Sequence, residues 1–151
     1  MDKYKVGYAT GVFDLFHIGH LNLLRSAKQI TDKLIVGVST DQLVHSYKDK
    51  YPVIPFRERI EIVKSIKYVD QVVPQDNLDK VLAFQTIGFD ALIVGDDWKG
   101  TSRWDEYENR FAELGVAIEY LPYTNTTSST LLRKVITNLS ENSETPQKPW
   151  V

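Results

Sequence analysis

The sequence predicts an α/β protein, a single domain built on a doubly wound, Rossmann-like parallel sheet, and three observations carry that prediction. Short apolar runs alternate with amphipathic stretches along the whole chain. Two of those runs, Lys33–Ser39 (KLIVGVS) and Asp90–Gly95 (DALIVG), are nearly continuous and rich in branched residues, as strands covered on both faces are. The connections between runs are short enough for right-handed crossovers. At 151 residues, 42% hydrophobic and 25% charged, the chain has the size and composition to bury one core.

Taken in order, Tyr4–Ala9 reads as the first strand and Leu21–Ile30 as the first helix. Between them lies Thr10-Gly11-Val12-Phe13-Asp14-Leu15-Phe16-His17-Ile18-Gly19-His20, a strand-to-helix crossing expected at the edge of the parallel sheet. Lys33–Ser39 is the second strand, and Thr40-Asp41 caps a helix over Gln42–Ser46. A polar loop with lysines follows, Tyr47 to Pro52. Ile60, Ile62, Val63 and Ile66 recur at roughly helical spacing within Pro55–Ile66, with Arg57, Glu58, Arg59, Glu61 and Lys64 facing elsewhere. Tyr68–Val73 reads as a strand stopped by Pro74, Leu78–Ile87 as a helix, and Asp90–Gly95 as a buried strand. Arg103–Leu114 is helical up to its cap at Gly115, Val116–Leu121 is the last strand, and Ser128–Leu139 is the last helix. The domain is expected over 1–138. Residues 139–151, rich in Ser, Glu and Pro, read as a flexible tail whose Trp150 has no evident purpose.

Composition narrows the function classes. The formal charge is -2 and no run of basic residues marks a nucleic-acid footprint. The absence of cysteine excludes thiolate catalysis, thiolate metal sites and disulfides. Met1-Asp2-Lys3-Tyr4 lacks the pattern of a signal peptide and no apolar run is long enough to span a bilayer, so no membrane insertion and a cytoplasmic location are expected. Without export, the glycosylation patterns at Asn125 and Asn138 read as accidental.

In a doubly wound sheet, ligands bind at the carboxyl ends of the strands. The residues expected there are Thr10–His20, Thr40–Lys50, Asp96–Gly100 and Pro122–Ser129. His17 and His20 admit three readings: metal ligands together with Asp14, packed structural imidazoles, or phosphate donors at a helix start. The neighbouring glycines, the strand before and the helix after favour phosphate. His45, without such a context, reads as a surface residue.

Gly11-Val12-Phe13-Asp14-Leu15-Phe16-His17-Ile18-Gly19-His20 resembles the G-x-F-D-x-x-H-x-G-H signature of the cytidylyltransferases acting on glycerol 3-phosphate, phosphocholine and phosphoethanolamine, within the H-x-G-H nucleotidyltransferase superfamily. The resemblance takes in Ser39-Thr40-Asp41, Lys48, Lys50, Arg59, Tyr68-Val69-Asp70 and Gly95-Asp96-Asp97-Trp98. It is strongest toward the small bacterial glycerol-3-phosphate type and covers roughly Val6 to Val135.

What the resemblance implies is a nucleotidyltransferase that joins CTP to an alcohol phosphate, giving a CDP-alcohol and pyrophosphate. By resemblance, His17, His20 and Lys50 are catalytic, with the histidines stabilising charge on the triphosphate as donors and partial cations. Val12 and Phe13 lend backbone N–H groups, and Gly19, Asp97, Tyr123, Thr124, Ser128, Ser129, Thr130 and Arg133 complete the nucleotide site. Lys48 and Lys80 are the expected contacts of the second substrate's phosphate. Mg²⁺ is expected to arrive with CTP, with no dedicated metal site, and the assembly implied is a homodimer.

One departure stands out. The family's R-T-x-G-x-S-T-T loop corresponds to Tyr123-Thr124-Asn125-Thr126-Thr127-Ser128-Ser129-Thr130, with tyrosine in place of the arginine and threonine in place of the glycine. Ser128-Ser129-Thr130-Leu131-Leu132-Arg133 resembles the I-S-S-T-x-x-R pattern of other superfamily members, which makes Arg133 the expected compensating cation. The competing functions are an adenylyltransferase on another phosphorylated molecule and a nucleotide-binding protein without turnover.

Overall fold

The computed structural model describes residues 3–122, 124 and 126–141. Its elements alternate as β1 (Tyr4–Gly11), α1 (Ile18–Gln29), β2 (Thr31–Ser39), α2 (Asp41–Lys48), α3 (Phe56–Lys64), β3 (Gln71–Gln75), α4 (Lys80–Ile87), β4 (Ala91–Gly95), α5 (Ser102–Glu113), β5 (Ala117–Leu121) and α6 (Ser129–Glu141), with a 3₁₀ turn at Asp96–Trp98. All four pairings of the five-stranded sheet are parallel, in the order β3-β2-β1-β4-β5. The expected doubly wound sheet is therefore present. Strand order reverses at β1, which is the central strand, so the crossing that follows it sits at the sheet's carboxyl end and not at a lateral edge.

Side-chain alternation along the strands divides the core in two. Leu34, Val36 and Val38 of β2 and Ala91 and Ile93 of β4 join Leu24 and Ala27 of α1 and Val63 of α3 on one face. Ile35 and Leu92 point the other way, with Tyr8, and meet Val81 of α4 and Trp104 and Phe111 of α5. Both faces of the central strands are covered, which is why their sequences read as unbroken apolar runs.

Two boundaries and the facing of one residue differ from expectation for identifiable reasons. β3 runs through Pro74 instead of stopping before it, because β3 is an edge strand and one side of its backbone needs no ladder partner. α4 begins at Lys80, since the Asp79 carboxylate caps it by accepting from the Val81 and Leu82 N–H groups. Arg59 is not on the solvent face of α3. It is 1% exposed and lies one turn before buried Val63 on the core side, while Ile62 is exposed.

Candidate active site

A cavity of about 590 Å³ opens at the carboxyl ends of β1, β4 and β5. Its wall includes, from the crossing, Val12, Phe13, Asp14, His17, Gly19 and His20; from α2 and its loop, Lys48 and Lys50; from beyond β4, Gly95, Asp97 and Trp98; and from the last loop and α6, Thr124, Ser128, Ser129, Thr130 and Arg133. The segments expected to converge do so. Tyr123 lies outside the described residues.

The crossing is held in an unusual backbone shape. Phe13 and Leu15 both have positive φ, 54° and 51°, a left-handed conformation that costs about 1–2 kcal/mol per non-glycine residue. Packing and hydrogen bonds hold the shape. The Phe13 side chain is 3% exposed and packs edge-on against His20 with ring centroids 5.3 Å apart. The Val12 carbonyl accepts from Arg59 Nη1 at 2.6 Å. Arg59 also donates Nε to the Ile54 carbonyl and Nη2 to the Asp41 carboxylate, both at 2.8 Å, so one buried guanidinium ties the crossing to the lysine loop and to the start of α2. Asp41 in turn accepts from the Phe56 N–H.

Asp14 is a second brace. Its carboxylate accepts from the Val53 and Ile54 N–H groups at 2.8 and 2.9 Å and from Arg133 Nη2 at 2.8 Å, and its carbonyl accepts from the Ser129 hydroxyl. A carboxylate already taking three donors is a poor metal ligand. Among the described residues there is no group of three or more His, Asp or Glu able to hold a metal ion. Arg133 does reach the wall, as the sequence suggests, but as the partner of Asp14 and not as an unpaired cation.

The histidines form a reciprocal cap on α1. His17 is the N-cap residue and its Nδ1 accepts from the Gly19 N–H at 3.0 Å; His20 Nδ1 accepts from the His17 N–H at 3.2 Å. The rings lie 3.9 Å apart. A β-carbon on Gly19 would sit 2.8 Å from His17 Cε1, so only glycine lets the ring fold back over the helix start. With Nδ1 accepting in both rings, the proton of each neutral imidazole sits on Nε2. Burial holds both below the ordinary histidine range, His20 at about 3, where the neighbouring His17 lowers it further and Asp14 partly opposes. Both shifts favour the uncharged ring, in which Nε2 is a donor.

The cationic lip consists of Lys48, Lys50 and Arg133. Burial pushes the Lys48 ammonium down, and the facing charges of Arg133 and Lys50 add to this while Asp14 opposes it. That crowding favours an anion between them. Lys80 departs from expectation. It is 7% exposed and absent from the wall, and its Nζ donates to Gln75 Oε1 and to Thr10 Oγ1, the latter at 2.9 Å. Burial lowers it to about 8. In this geometry it supports Thr10, which lines the cavity, from behind. His45 is exposed, as expected, and stacks on Tyr51 with centroids 4.4 Å apart.

The bracing roles of Arg59 and Asp14 were not legible as such. The available signal was the one-turn spacing between Arg59 and Val63, which places a cation on an otherwise apolar helix face. The Asn22 to Thr124 bond at 3.1 Å, which fastens the last loop to α1, had no sequence signal.

Comparison with known proteins gives a consistent result. Residues 8–135 match the model of a family described as cytidylyltransferase-like. The glycerol-3-phosphate cytidylyltransferase of Bacillus spizizenii is 37% identical over 130 residues, covering 85% of this chain and 95% of that protein. An FAD synthase of Pyrococcus abyssi is 32% identical over 132 residues, covering 87% and 89%. Among solved structures, the lipopolysaccharide core biosynthesis protein from Thermoplasma volcanium matches with a TM-score of 0.68 at 24% identity, covering 82% of this chain and 99% of that one, a likeness of fold.

Proposed function

The chain belongs to the cytidylyltransferase-like family, and from that premise we propose that it joins CTP to a small alcohol phosphate, glycerol 3-phosphate first, releasing a CDP-alcohol and pyrophosphate. The carrying observation is the cavity whose wall brings two backbone-locked histidines together with three cations and a row of hydroxyls. An oxygen of the alcohol phosphate attacks the α-phosphorus of CTP. One P–O bond forms there, and the bond to the bridging oxygen breaks with its electron pair leaving on pyrophosphate. The nucleophile is already an anion at neutral pH, so no general base is needed.

The protein's task is alignment and charge stabilisation. His17 and His20 donate through Nε2 to oxygens that gain charge. The lack of a positive charge on the rings suits this, because a neutral donor pre-set by a helix cap does not lose a proton to the phosphate. Lys50 holds a CTP phosphate and Lys48 the acceptor's phosphate. Val12 and Phe13 offer backbone N–H groups, while Gly19, Asp97, Thr124, Ser128, Ser129 and Thr130 shape the rest of the nucleotide site. Arg133 serves the triphosphate with the side of its guanidinium not taken by Asp14. Mg²⁺ bound to the triphosphate supplies neutralisation of its charge; the donor set fits an ion that comes with the nucleotide, because Asp14 is already engaged.

Pyrophosphate release tests the reading. With Mg²⁺, release is expected from CTP and glycerol 3-phosphate and not from either alone. The FAD synthase relatives favour a second reading, in which ATP and another phosphorylated molecule react by the same displacement. Release with ATP and none with CTP would establish that one instead, and binding without release under every pairing would leave a nucleotide-binding protein. As further parts of the proposal, the enzyme acts as a homodimer in the cytoplasm and feeds the synthesis of a cell-surface polymer; among the described residues no helix is long and apolar enough to cross a membrane.

A further inference from the structure

The cavity wall is chemically lopsided. Lys48, Lys50 and Arg133 all stand on the side of α2, its loop and α6, next to the histidine turn. The opposite wall, at the ends of β4 and β5, contributes Val94, Gly95, Asp97, Trp98, Pro122 and Thr124, with no lysine or arginine among them. Of the cations that follow in sequence, Lys99 has its Nζ 5.5 Å from the centre of the Tyr120 ring, and neither it nor Arg103 lines the cavity. A nucleoside triphosphate is divided in the same way, into a polyanionic end and a flat, uncharged base.

Trp98 is the large aromatic of the uncharged wall, and it is 50% exposed. Trp104, six residues on, shows what a packed indole looks like in this protein: 6% exposed, with Tyr107 and Tyr120 at centroid distances of 5.3 and 6.3 Å. No ring pairs with Trp98 among the described residues. Its backbone is nevertheless fixed. The Trp98 carbonyl accepts from the Thr101 hydroxyl at 2.9 Å and from the Thr101 N–H at 3.3 Å, and the Lys99 N–H closes the 3₁₀ turn onto the Asp96 carbonyl. Asp97 folds back over Gly95, where a β-carbon would lie 2.8 Å from Oδ1. An indole held on a rigid turn, half in water and facing a cavity, is a stacking platform without its partner.

We propose that Trp98 is the base-binding residue of this site, stacking its indole on the nucleobase while the cations and histidines across the cavity hold the phosphates. The inference rests on the nucleotidyltransferase reading above and adds to it the residue that binds the uncharged end of the nucleotide. Because every base has a π-face, stacking supplies affinity and leaves the choice among bases to polar groups.

The experiment uses the full chain and its Trp98→Ala and Trp98→Phe variants. Calorimetry measures binding of CTP and of inorganic tripolyphosphate, which has the charge and lacks the base. Trp98→Ala should weaken CTP binding about tenfold, in keeping with stacking worth roughly 1–3 kcal/mol per base, and Trp98→Phe should recover most of the loss. Tripolyphosphate binding should be the same in all three proteins. Indole fluorescence of the wild type should be quenched by CTP and unaffected by tripolyphosphate or glycerol 3-phosphate, and Trp98→Phe should abolish the quench. The proposal is overturned if Trp98→Ala binds CTP within twofold of wild type. Equal losses for CTP and tripolyphosphate, or quenching by the alcohol phosphate alone, also overturn it, since the first marks a damaged phosphate arm and the second an acceptor contact. Wild-type protein that binds tripolyphosphate and CTP equally well sinks this inference and spares the transferase reading; wild-type protein that binds no nucleotide sinks both.

Discussion

The histidine turn and the last helix reach the same cavity by opposite means. The turn, from Val12 to His20, is held from within and below: positive-φ residues pinned by a buried phenyl ring, a carbonyl tied to Arg59, and two imidazoles that cap their own helix. α6 has no buried residue over its 13 positions, and Leu131, Val135 and Leu139 are exposed on it. It reaches the cavity through Ser129, Thr130 and Arg133, of which Ser129 and Arg133 bond to Asp14. The pre-organised element therefore holds its donors in place without a ligand, and the loosely seated element is registered against it through Asp14. Placing a donor to within a fraction of an ångström requires supports that do not depend on the ligand.

The sharpest way to break this contrast is at Arg59. Arg59→Ala leaves Asp41 without its buried partner and two carbonyls without donors, and should cost about 3–5 kcal/mol of stability, read from denaturant midpoints. An effect under about 1 kcal/mol would mean that the turn is not held from below.

Next come His17→Ala and His20→Ala. Each removes one donor of the kind that stabilises charge in a transition state and should lower turnover by about 10²–10³, while the lost cap costs only about 1 kcal/mol of stability. Equal turnover in variant and wild type would make the pair structural.

Arg133→Ala tests the other region. It should reduce apparent CTP affinity by a factor of about 3–10 and leave turnover of the saturated enzyme within about threefold, because the histidines remain in place. A collapse of turnover matching that of His20→Ala would erase the distinction between the regions.

The effect felt only outside the neutral range is on pH. His17 and His20 are depressed in the folded protein, so the unfolded chain binds more protons than the folded one between the unfolded value near 6.5 and the folded value, about 3 for His20. Their stabilising contribution is complete above about 6.5 and is lost as pH falls toward 3. Stability that is flat over that range, or a His20→Gln variant with the wild-type pH slope, would contradict the buried neutral cap.

Much of this was legible in the chain. The strands β2 and β4 are legible because burial on both faces requires unbroken apolar runs, and the turn because an apolar run, two glycines and a following helical period mark a strand-to-helix crossing. Periodicity turns Arg59 away from the apolar face of α3 because it sees a residue's type and not its partners. The resemblance aims Lys80 at a phosphate, yet Gln75, five residues earlier, and Thr10, near the start of the chain, hold it inward. Pro74 reads as a strand end because the sequence does not say which strand lies at the edge.

The sequence alone determined the layered α/β architecture and the location of the glycine- and histidine-bearing turn at the start of α1, since both follow from local pattern: period, caps and glycine. Tertiary structure decided how the charges are used. Arg59, Asp14 and Lys80 are polar residues whose roles depend on groups brought near them by the sheet order β3-β2-β1-β4-β5, at separations of up to 119 residues for Asp14 and Arg133. A buried charge must find its counterpart wherever the fold supplies one, and that requirement has no period for a sequence to display.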